Sequence, residues 1–313
     1  MTIDLVKTKL LYSEAVKQDL EAWQQESAAK QQAASLKPYL KWAGGKRQLL
    51  AEIKKHLPKD IKNRTYFEPF VGAGAVLFDL RPRYAVINDL NSLLITTYNA
   101  IKENIDELIS LLNEYKNKNT APWYYEVREA DRDTEKFGAL SDVQKAARLI
   151  YLNKTCYNGL YRVNSGGHFN VPYGNYKNPV ICDETLLRHI SNYFIRNQIT
   201  ILNGDFADAV ETADKASFVY FDPPYHSADK TNFTDYQAGG FDENEQQRLF
   251  KLMLSLTKRG VKCLQSNSDT DYIRALYEHE RFELIQVHAK RAINSVASGR
   301  GAINELLIKN WKN

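Results

Sequence analysis

The sequence predicts an α/β fold with βαβ units, and three observations lead to that prediction. A short apolar segment at residues 66–71 runs into a Gly-Ala-Gly turn, helix-like sequence follows to Asp79, and a second apolar segment occupies residues 84–87. Later strand-like segments occupy residues 199–202, 217–221, 261–265, 282–287 and 305–308, with helical sequence at 243–256. The length of 313 residues suffices for one large α/β domain and a smaller insertion.

The first part of the chain differs in composition from the predicted core. Residues 1–36 are rich in Gln, Ala, Lys and Glu with scattered Leu and Trp, which favours a helical appendage over the alternative, a tail without regular structure. Within the core, residues 91–116 have helical periodicity. A further helix is predicted from about Ser141, a suitable N-cap, to Leu152.

An unusual stretch follows that helix. Residues 153–182 contain no Asp or Glu, and frequent Gly and Asn predict hairpins and loops rather than helix. Its cations are Lys154, Arg162 and Lys177. Aromatic side chains lie between them, at Tyr157, Tyr161, Phe169, Tyr173 and Tyr176.

Composition excludes several classes of protein. No apolar run approaches the roughly 18 to 20 residues that span a bilayer, and acidic residues interrupt every candidate core of a signal peptide, so we expect a cytoplasmic protein with no membrane partner. The three widely spaced cysteines form no C-x-x-C pair, so neither a disulfide framework nor a metal site is predicted. The net charge of +4 permits a polyanionic partner without requiring one.

The strongest chemical signal is Asp222-Pro223-Pro224-Tyr225, which follows the apolar segment at 217–221. A carboxylate at the carboxyl end of a buried strand lies where α/β sheets place their active sites. The prolines fix the backbone and leave the Pro223 carbonyl free to accept a hydrogen bond, so this carbonyl and Asp222 form an acceptor pair suited to an amino group with two protons. Tyr225 can stack on a base. The alternative is a Pro-Pro turn with Asp as a cap.

A second signal is the segment F-E-P-F-V-G-A-G at residues 67–74 together with Asp89, at the end of the next strand. An acidic residue there can accept hydrogen bonds from ribose hydroxyls, whereas an ordinary strand-to-helix turn is the alternative. A third signal is residues 38–47, where Trp42 offers an aromatic face, glycines allow close backbone approach and Lys46 offers charge. Taken alone, this third segment would be interpreted as a basic loop that leads into a helix.

These motifs, in this order, resemble the Dam-like family of DNA adenine-N6 methyltransferases, in its α class. The match runs from about Leu36 to the C-terminus, and residues 231–236, 266–269 and 291–295 resemble further motifs of the family. The resemblance implies a Rossmann-like, mixed seven-stranded methyltransferase sheet with an inserted helical and β-hairpin target-recognition domain. We therefore expect an appendage at 1–36, a catalytic domain at 37–100 and 197–313, and a recognition domain at 101–196.

The resemblance also implies a site for S-adenosylmethionine and a catalytic box. The residues expected at the edge of the cofactor are Trp42, Ala43, Gly44 and Lys46. Those expected around its methionine moiety are Glu68, Phe70 and Gly72. Asp89 is expected at the ribose, and Asp205 and Phe206 at the cofactor adenine. The residues expected to hold the flipped target adenine are Asp222, Pro223, Pro224 and Tyr225.

The segment at residues 151–174 resembles the recognition hairpin of enzymes that methylate GATC in double-stranded DNA. Arg162 can bond guanine O6 and N7 in the major groove, and Tyr157 could wedge beside the extruded base. The apolar Leu160 and Pro172 could meet thymine methyl groups. The other residues expected at DNA, mostly at its phosphates, are Lys154, Asn158, Tyr176 and Lys177. A solvated aromatic loop is the alternative, and departures from the family pattern at residues 154, 155, 163 and 165 could change the preference for flanking bases.

Three other questions stay open at this point. An RNA or protein-glutamine N-methyltransferase would share a similar box, although glutamine enzymes usually carry Asn where this chain has Asp222. A non-catalytic DNA-binding protein on a methyltransferase fold is a second alternative, against which the intact box argues. A cognate restriction endonuclease, acting separately, is a possible partner.

Overall fold

A seven-stranded sheet lies at the centre of the fold. The structure, a computed structural model, describes residues 36–42, 44, 46–227, 241–290 and 302–312. The strands in chain order are β1 (Thr65–Glu68), β2 (Tyr84–Asp89), β3 (Gln198–Asn203), β4 (Ser217–Phe221), β5 (Lys262–Ser268), β6 (Glu283–Lys290) and β7 (Ala302–Lys309). Each strand expected from the sequence is present, with ends shifted by at most a few residues.

The strand order fixes where a ligand can bind. The order is β3-β2-β1-β4-β5-β7-β6, with β7 antiparallel to both of its neighbours and the other pairs parallel, which confirms the expected mixed sheet. The order reverses between β1 and β4, and open α/β sheets bind ligands beside such a reversal, at the carboxyl ends of the strands. Glu68 ends β1 and Asp222 follows β4, so both lie at that edge.

Helices flank this sheet. Those in the described ranges are α1 (Leu50–Lys55), α2 (Ala75–Leu80), α3 (Ser92–Glu103), α4 (Ile105–Lys118), α5 (Ala121–Glu129), α6 (Thr134–Ala139), α7 (Asp142–Thr155), α8 (Glu184–Arg196), α9 (Glu243–Lys258) and α10 (Asp271–Tyr277). The periodic segment at 91–116 forms two helices, with Asn104 between them. Ser141 caps α7 as predicted, and its side chain and that of Gln144 bond each other's backbone N–H groups. Among the described residues, no helix is both long and apolar enough to cross a membrane.

The insertion between β2 and β3 contains α3 to α8 and the stretch at residues 153–182. This stretch is mostly loop and hairpin, as predicted, although α7 continues to Thr155, past its predicted end at Leu152. Buried Asn153 and Thr155 explain the extra turn, since the Thr155 hydroxyl donates to the Tyr151 carbonyl. The predicted boundary between residues 100 and 101 falls inside α3, and the division into catalytic and recognition domains stays a prediction.

The core occupies both faces of β4, whose residues are all buried. Val219 and Phe221 face one cluster, which includes Leu249 and Met253 of α9. On the other face, the ring of Phe218 lies 6.1 Å from that of Tyr66. A strand covered on both faces reads as a continuous apolar run, and residues 217–221 match that pattern. Because β4 is packed on both faces, the backbone position of Asp222 at its end is fixed.

Candidate active site

Asp222 lies at the carboxyl end of β4, with its side chain 17% exposed. Its Oδ1 atom lies 2.8 Å from Nζ of Lys46 and accepts a hydrogen bond of 3.0 Å from the Ser266 hydroxyl, which is 2.8 Å from the hydroxyl of Tyr220. Both contacts are to the same carboxylate oxygen. Within the described part of the chain, no group donates to Oδ2 of Asp222 or to the Pro223 carbonyl, so this pair of oxygens is available as acceptors.

Burial governs the charge state of Asp222. Desolvation raises the pKa of its carboxyl above the usual value, whereas the ammonium group of Lys46 and the Ser266 hydroxyl act in the opposite direction. Removing the cation would therefore leave only the Ser266 hydrogen bond to oppose the effect of burial. Lys46 thus favours the ionised form of the group that would accept a proton from a substrate amine.

The ammonium group of Lys46 occupies the space between Asp222 and Tyr225. Its Nζ lies 4.4 Å above the centroid of the Tyr225 ring and donates to the Gly44 carbonyl at 2.7 Å, and the side chain is only 7% exposed. These contacts use the same carboxylate and ring that the sequence assigns to the target adenine. A base that donated to Asp222 would therefore meet Oδ2, the carboxylate oxygen that Lys46 does not contact.

Further acidic side chains surround this point. The Tyr225 hydroxyl donates to Glu305 Oε2 at 2.6 Å, which fixes the ring from the β7 side. Glu68 is 2% exposed and accepts a 2.9 Å hydrogen bond from the Tyr66 hydroxyl. Desolvation raises the pKa of the Glu68 carboxyl well above its usual value, and the charge of Asp222 raises it further.

Asp89 shapes the glycine turn that follows β1. Its carboxylate accepts the backbone N–H groups of Gly72 at 3.0 Å and Asn91 at 2.9 Å, and burial raises its pKa. The Tyr98 hydroxyl donates to the Gly72 carbonyl at 2.9 Å. Gly72 has a φ of 49°, and a Cβ atom there would lie 3.2 Å from Trp42, so the turn both favours glycine and leaves little space for a side chain. Each carboxylate oxygen of Asp89 keeps a second lone pair for a ligand hydroxyl.

Aromatic rings from the segments that follow β1 and β3 pack together beside the Asp89 turn. Phe70 stacks on Phe206 with ring centroids 5.2 Å apart, and Phe241 meets Phe70 edge-on at 5.6 Å. Asp205 accepts the Ala207 N–H at 2.8 Å and is paired with the guanidinium group of Arg248. A ligand that bonded Asp205 would therefore share its carboxylate with Arg248.

The segment at residues 38–47 contacts the insertion through Lys41 and Trp42. Trp42 stacks on Tyr161 with ring centroids 4.8 Å apart. The Asn153 side chain bonds both the N–H and the C=O of Lys41, at 2.9 and 2.8 Å. These contacts attach the first motif to the segment predicted to read DNA. Ala43 lies outside the described residues, as do the family-like motifs at 231–236 and 291–295.

The side chains predicted to contact DNA are mostly exposed. Those at the surface are Tyr157, Asn158, Leu160, Arg162, Pro172, Tyr176 and Lys177, with exposed fractions of 56% for Tyr157, 37% for Leu160 and 38% for Tyr176. Lys154 differs, since it is partly buried and desolvation lowers the pKa of its ammonium group. To contact a phosphate as predicted, the Lys154 side chain would therefore have to extend into solvent from the last turn of α7.

An ion pair supports the hairpin formed by residues 156–173. Asp131 accepts the Phe169 N–H at 2.8 Å and lies 2.9 Å from the buried guanidinium group of Arg148. Val163 and Phe169 pair as antiparallel partners above it. Arg162 is exposed and donates through Nε to Asn170 at 2.8 Å, and its two terminal NH₂ groups have no hydrogen-bond partner among the described residues.

Sequence reasoning assigned no role to three buried polar residues of the site, although it matched residues 266–269 to a motif of the family. Ser266 and Asn267 lie in β5, beside β4, and both are fully buried. Gln246 of α9 is also fully buried. Polar residues near the carboxyl end of a strand next to the catalytic one are a usable signal for Ser266 and Asn267. In the described ranges, no group of three or more His, Cys, Asp or Glu side chains is arranged to hold a metal ion.

Comparison with known proteins gives a consistent result. A family model described as D12 class N6 adenine-specific DNA methyltransferase matches residues 42–293. The type II methyltransferase M1.LlaDCHI of Lactococcus lactis subsp. cremoris is 43% identical over 280 residues, which cover 89% of this chain and 97% of that protein. M.MjaIII of Methanocaldococcus jannaschii, also a type II methyltransferase, is 44% identical over 88% of this chain and 99% of its own length. The DNA adenine methylase of Escherichia coli K12 is 37% identical over 86% of this chain and 93% of its own.

Proposed function

The chain belongs to the D12 class of N6 adenine-specific DNA methyltransferases, and we propose that it methylates the adenine of GATC in double-stranded DNA with S-adenosylmethionine as the donor. Membership of this class sets aside the RNA and protein-glutamine alternatives. The observation that carries the proposal is the acceptor pair formed by Asp222 Oδ2 and the Pro223 carbonyl at the end of β4.

The residues at this edge fit S-adenosylmethionine. The carboxylate of Asp89 has lone pairs for ribose hydroxyls, and the stacked rings of Phe70 and Phe206 suit the flat adenine of the cofactor. The bare backbone of Gly72 would allow the methionine moiety close approach. When bound, the cofactor supplies an electrophilic methyl group on a sulfonium sulfur.

The acceptor pair accounts for the chemistry at the target base. The N6 amine of adenine is a weak nucleophile because its lone pair is delocalised into the ring. Asp222 and the Pro223 carbonyl would each accept a hydrogen bond from the amine, which orients the lone pair and stabilises the positive charge that develops on nitrogen. The amine nitrogen would take over the methyl group, whose bonding pair to sulfur stays with the departing thioether, and the proton that N6 then loses would pass along its hydrogen bond to the Asp222 carboxylate.

The exposed side chains of the hairpin support recognition of DNA. The terminal NH₂ groups of Arg162 match guanine O6 and N7. Exposed Tyr157 could fill the space left in the base stack by the extruded adenine. The choice of GATC rests on the resemblance of residues 151–174 to GATC enzymes. Because two relatives are named type II methyltransferases, a separate restriction endonuclease remains a proposed partner.

A panel of duplexes tests the choice of sequence. The protein is incubated with methyl-labelled S-adenosylmethionine and duplexes in which each position of GATC is substituted in turn, and methylated adenines are located by sequencing. We expect labelling of the GATC duplex alone. Equal labelling of adenines outside GATC would contradict the proposed specificity and leave the reaction class intact.

Calorimetry with S-adenosylmethionine tests the cofactor site. We expect Asp89→Ala to weaken binding by about 1 to 3 kcal/mol, because polar partners in the site are left unpaired. Asp60→Ala is a suitable control, since Asp60 pairs with Arg64 just before the start of β1, at the opposite edge of the sheet. Unchanged affinity in Asp89→Ala would contradict the assignment.

A further inference from the structure

Two buried amide side chains bind the backbone of the turn that carries Asp222. Gln246, near the start of α9, donates from Nε2 to the Pro224 carbonyl at 3.0 Å. Asn267 of β5 donates from Nδ2 to Gln246 Oε1 at 3.0 Å and accepts the His226 N–H on Oδ1 at 3.2 Å. The three bonds join the backbone of residues 224 and 226 into a closed loop of contacts through two side chains.

The orientation of both amides follows from their fixed partners. A proline carbonyl can only accept, so Gln246 must present its NH₂ group to Pro224. A backbone N–H can only donate, so Asn267 must present its oxygen to His226, and its Oδ1 also accepts the Ser268 N–H at 2.8 Å. The remaining oxygen of Gln246 and NH₂ of Asn267 then match each other, which leaves one consistent arrangement.

Burial makes the hydrogen bonds of Gln246 and Asn267 costly to break. Both side chains are fully buried, so their hydrogen bonds have no competition from water and break at a high cost. His226 is held further by the Ser268 hydroxyl, which donates to its carbonyl at 2.5 Å, and by stacking on Tyr272 at 4.7 Å. The turn is therefore fixed on the side of α9 and β5, while the Pro223 carbonyl remains an unused acceptor among the described residues.

We propose that Gln246 and Asn267 are positioning residues for methyl transfer, which act by engaging the Pro224 carbonyl and the His226 N–H so that the Pro223 carbonyl and Asp222 stay aimed at the substrate amine. This inference rests on the proposed catalytic role of the Asp222 turn. Neither residue contacts the substrate in this scheme. Their effect passes through the backbone of the turn.

The test compares Gln246→Leu with a matched glutamine in the same core. Gln265 of β5 is equally buried, but its Oε1 accepts from the Tyr277 hydroxyl at 2.6 Å instead of bonding the turn. In single-turnover assays we expect Gln246→Leu to lower the methylation rate on the order of tenfold to a hundredfold, because small displacements of reacting groups have effects of that size. DNA and cofactor affinity should stay close to wild type, and Gln265→Leu should keep the wild-type rate even where both variants melt at lower temperature.

The pH dependence of Gln246→Glu distinguishes a positioning role from a purely structural one. The ionised carboxylate cannot donate to the Pro224 carbonyl, whereas the protonated form can, and burial raises the pKa of a carboxyl group. The ratio of the variant rate to the wild-type rate should therefore rise as the pH falls. The wild-type profile, measured alongside, accounts for the ionisable groups around the turn, which are Asp222, Tyr225 and His226 within it and Lys46, Glu243 and Glu305 beside it. This measurement decides the question even if Gln246→Leu yields little folded protein.

The outcomes separate this inference from the proposed function. Asp222→Asn is assayed in parallel, and a near wild-type rate for it would overturn both, because the turn would then not be catalytic. A strong loss in Asp222→Asn with a normal rate in Gln246→Leu would overturn the positioning role alone. Equal losses in Gln246→Leu and Gln265→Leu, or a rate ratio for Gln246→Glu that does not change with pH, would also overturn it.

Discussion

The turn at residues 222–226, which we propose to be catalytic, and the hairpin at residues 156–173, which we propose to contact DNA, are built in opposite ways. In the turn at residues 222–226, Asp222, Pro224, Tyr225 and His226 are bonded to neighbouring elements. In the hairpin, the backbone is anchored to Asp131, but most of the side chains that would meet DNA are exposed to solvent. Under the proposed roles, groups that act on the transition state are in place beforehand, whereas groups that read the sequence would meet their partners only when DNA binds. Substitutions in the two regions should therefore differ in which kinetic quantity they change.

The largest effect is expected at the catalytic turn. Asp222→Ala removes an acceptor that acts mainly in the transition state, so we expect kcat to fall on the order of a hundredfold or more. The affinity for S-adenosylmethionine should be largely retained. Single-turnover methylation and calorimetry measure the two quantities. A variant that methylated adenine at nearly the wild-type rate would remove the contrast between the regions.

The next effect is expected at the hairpin. Arg162→Ala should reduce discrimination at one guanine of the target by about 1 to 3 kcal/mol, as expected for a single bidentate contact. The maximal rate on the best duplex should change less, because Arg162 and the catalytic turn lie on different elements. Rates on the panel of substituted duplexes give both numbers. If the preference at every position survived in Arg162→Ala, another residue would read the sequence.

A smaller effect concerns pH and tests how the turn keeps its charge. Burial raises the pKa of Asp222 and Lys46 opposes that rise, so Lys46→Met should raise this pKa further. In the proposed mechanism the ionised carboxylate is the active form, so the rate should be full at high pH and fall as the pH drops through the pKa. The acid limb of the kcat profile should therefore move to higher pH in Lys46→Met. An acid limb that stayed in place would mean that the ion pair does not set the charge state of Asp222.

Local sequence was enough to predict the parts of the site that depend on neighbouring residues. The apolar run at 217–221 followed by Asp222 and two prolines identifies both the strand and its functional end. The segment at 66–71 was extended too far, since β1 ends at Glu68, and Pro69 offers a reason because proline has no N–H for the sheet. Helix α8 was not predicted although the signal exists, with Asp183 as N-cap and apolar residues at helical spacing.

Contacts between distant segments could not be predicted in this way. The stacking of Trp42 on Tyr161 depends on how the insertion folds back onto the first motif, and the pairing of Lys46 with Asp222 depends on how that motif packs against the end of β4. Gln246 looks from its sequence like an ordinary polar residue of an amphipathic helix. Its role becomes visible only when α9 is packed against the turn. The sequence alone therefore does not show which buried polar side chains contact one another.

The smallest effect should separate affinity from recognition within the hairpin itself. Lys177 is exposed and carries charge without a fork that could match a base edge, so Lys177→Ala should weaken binding to every duplex by a similar factor. Because the substitution removes a single phosphate contact, the slope of log affinity against log salt should fall by about 1. Lys215→Ala is the control, because Lys215 is exposed just before β4, at the sheet edge opposite the catalytic turn, and should leave the slope unchanged. A change of base preference in Lys177→Ala would show that this residue reads sequence, and an unchanged slope would mean that DNA does not reach that end of the segment.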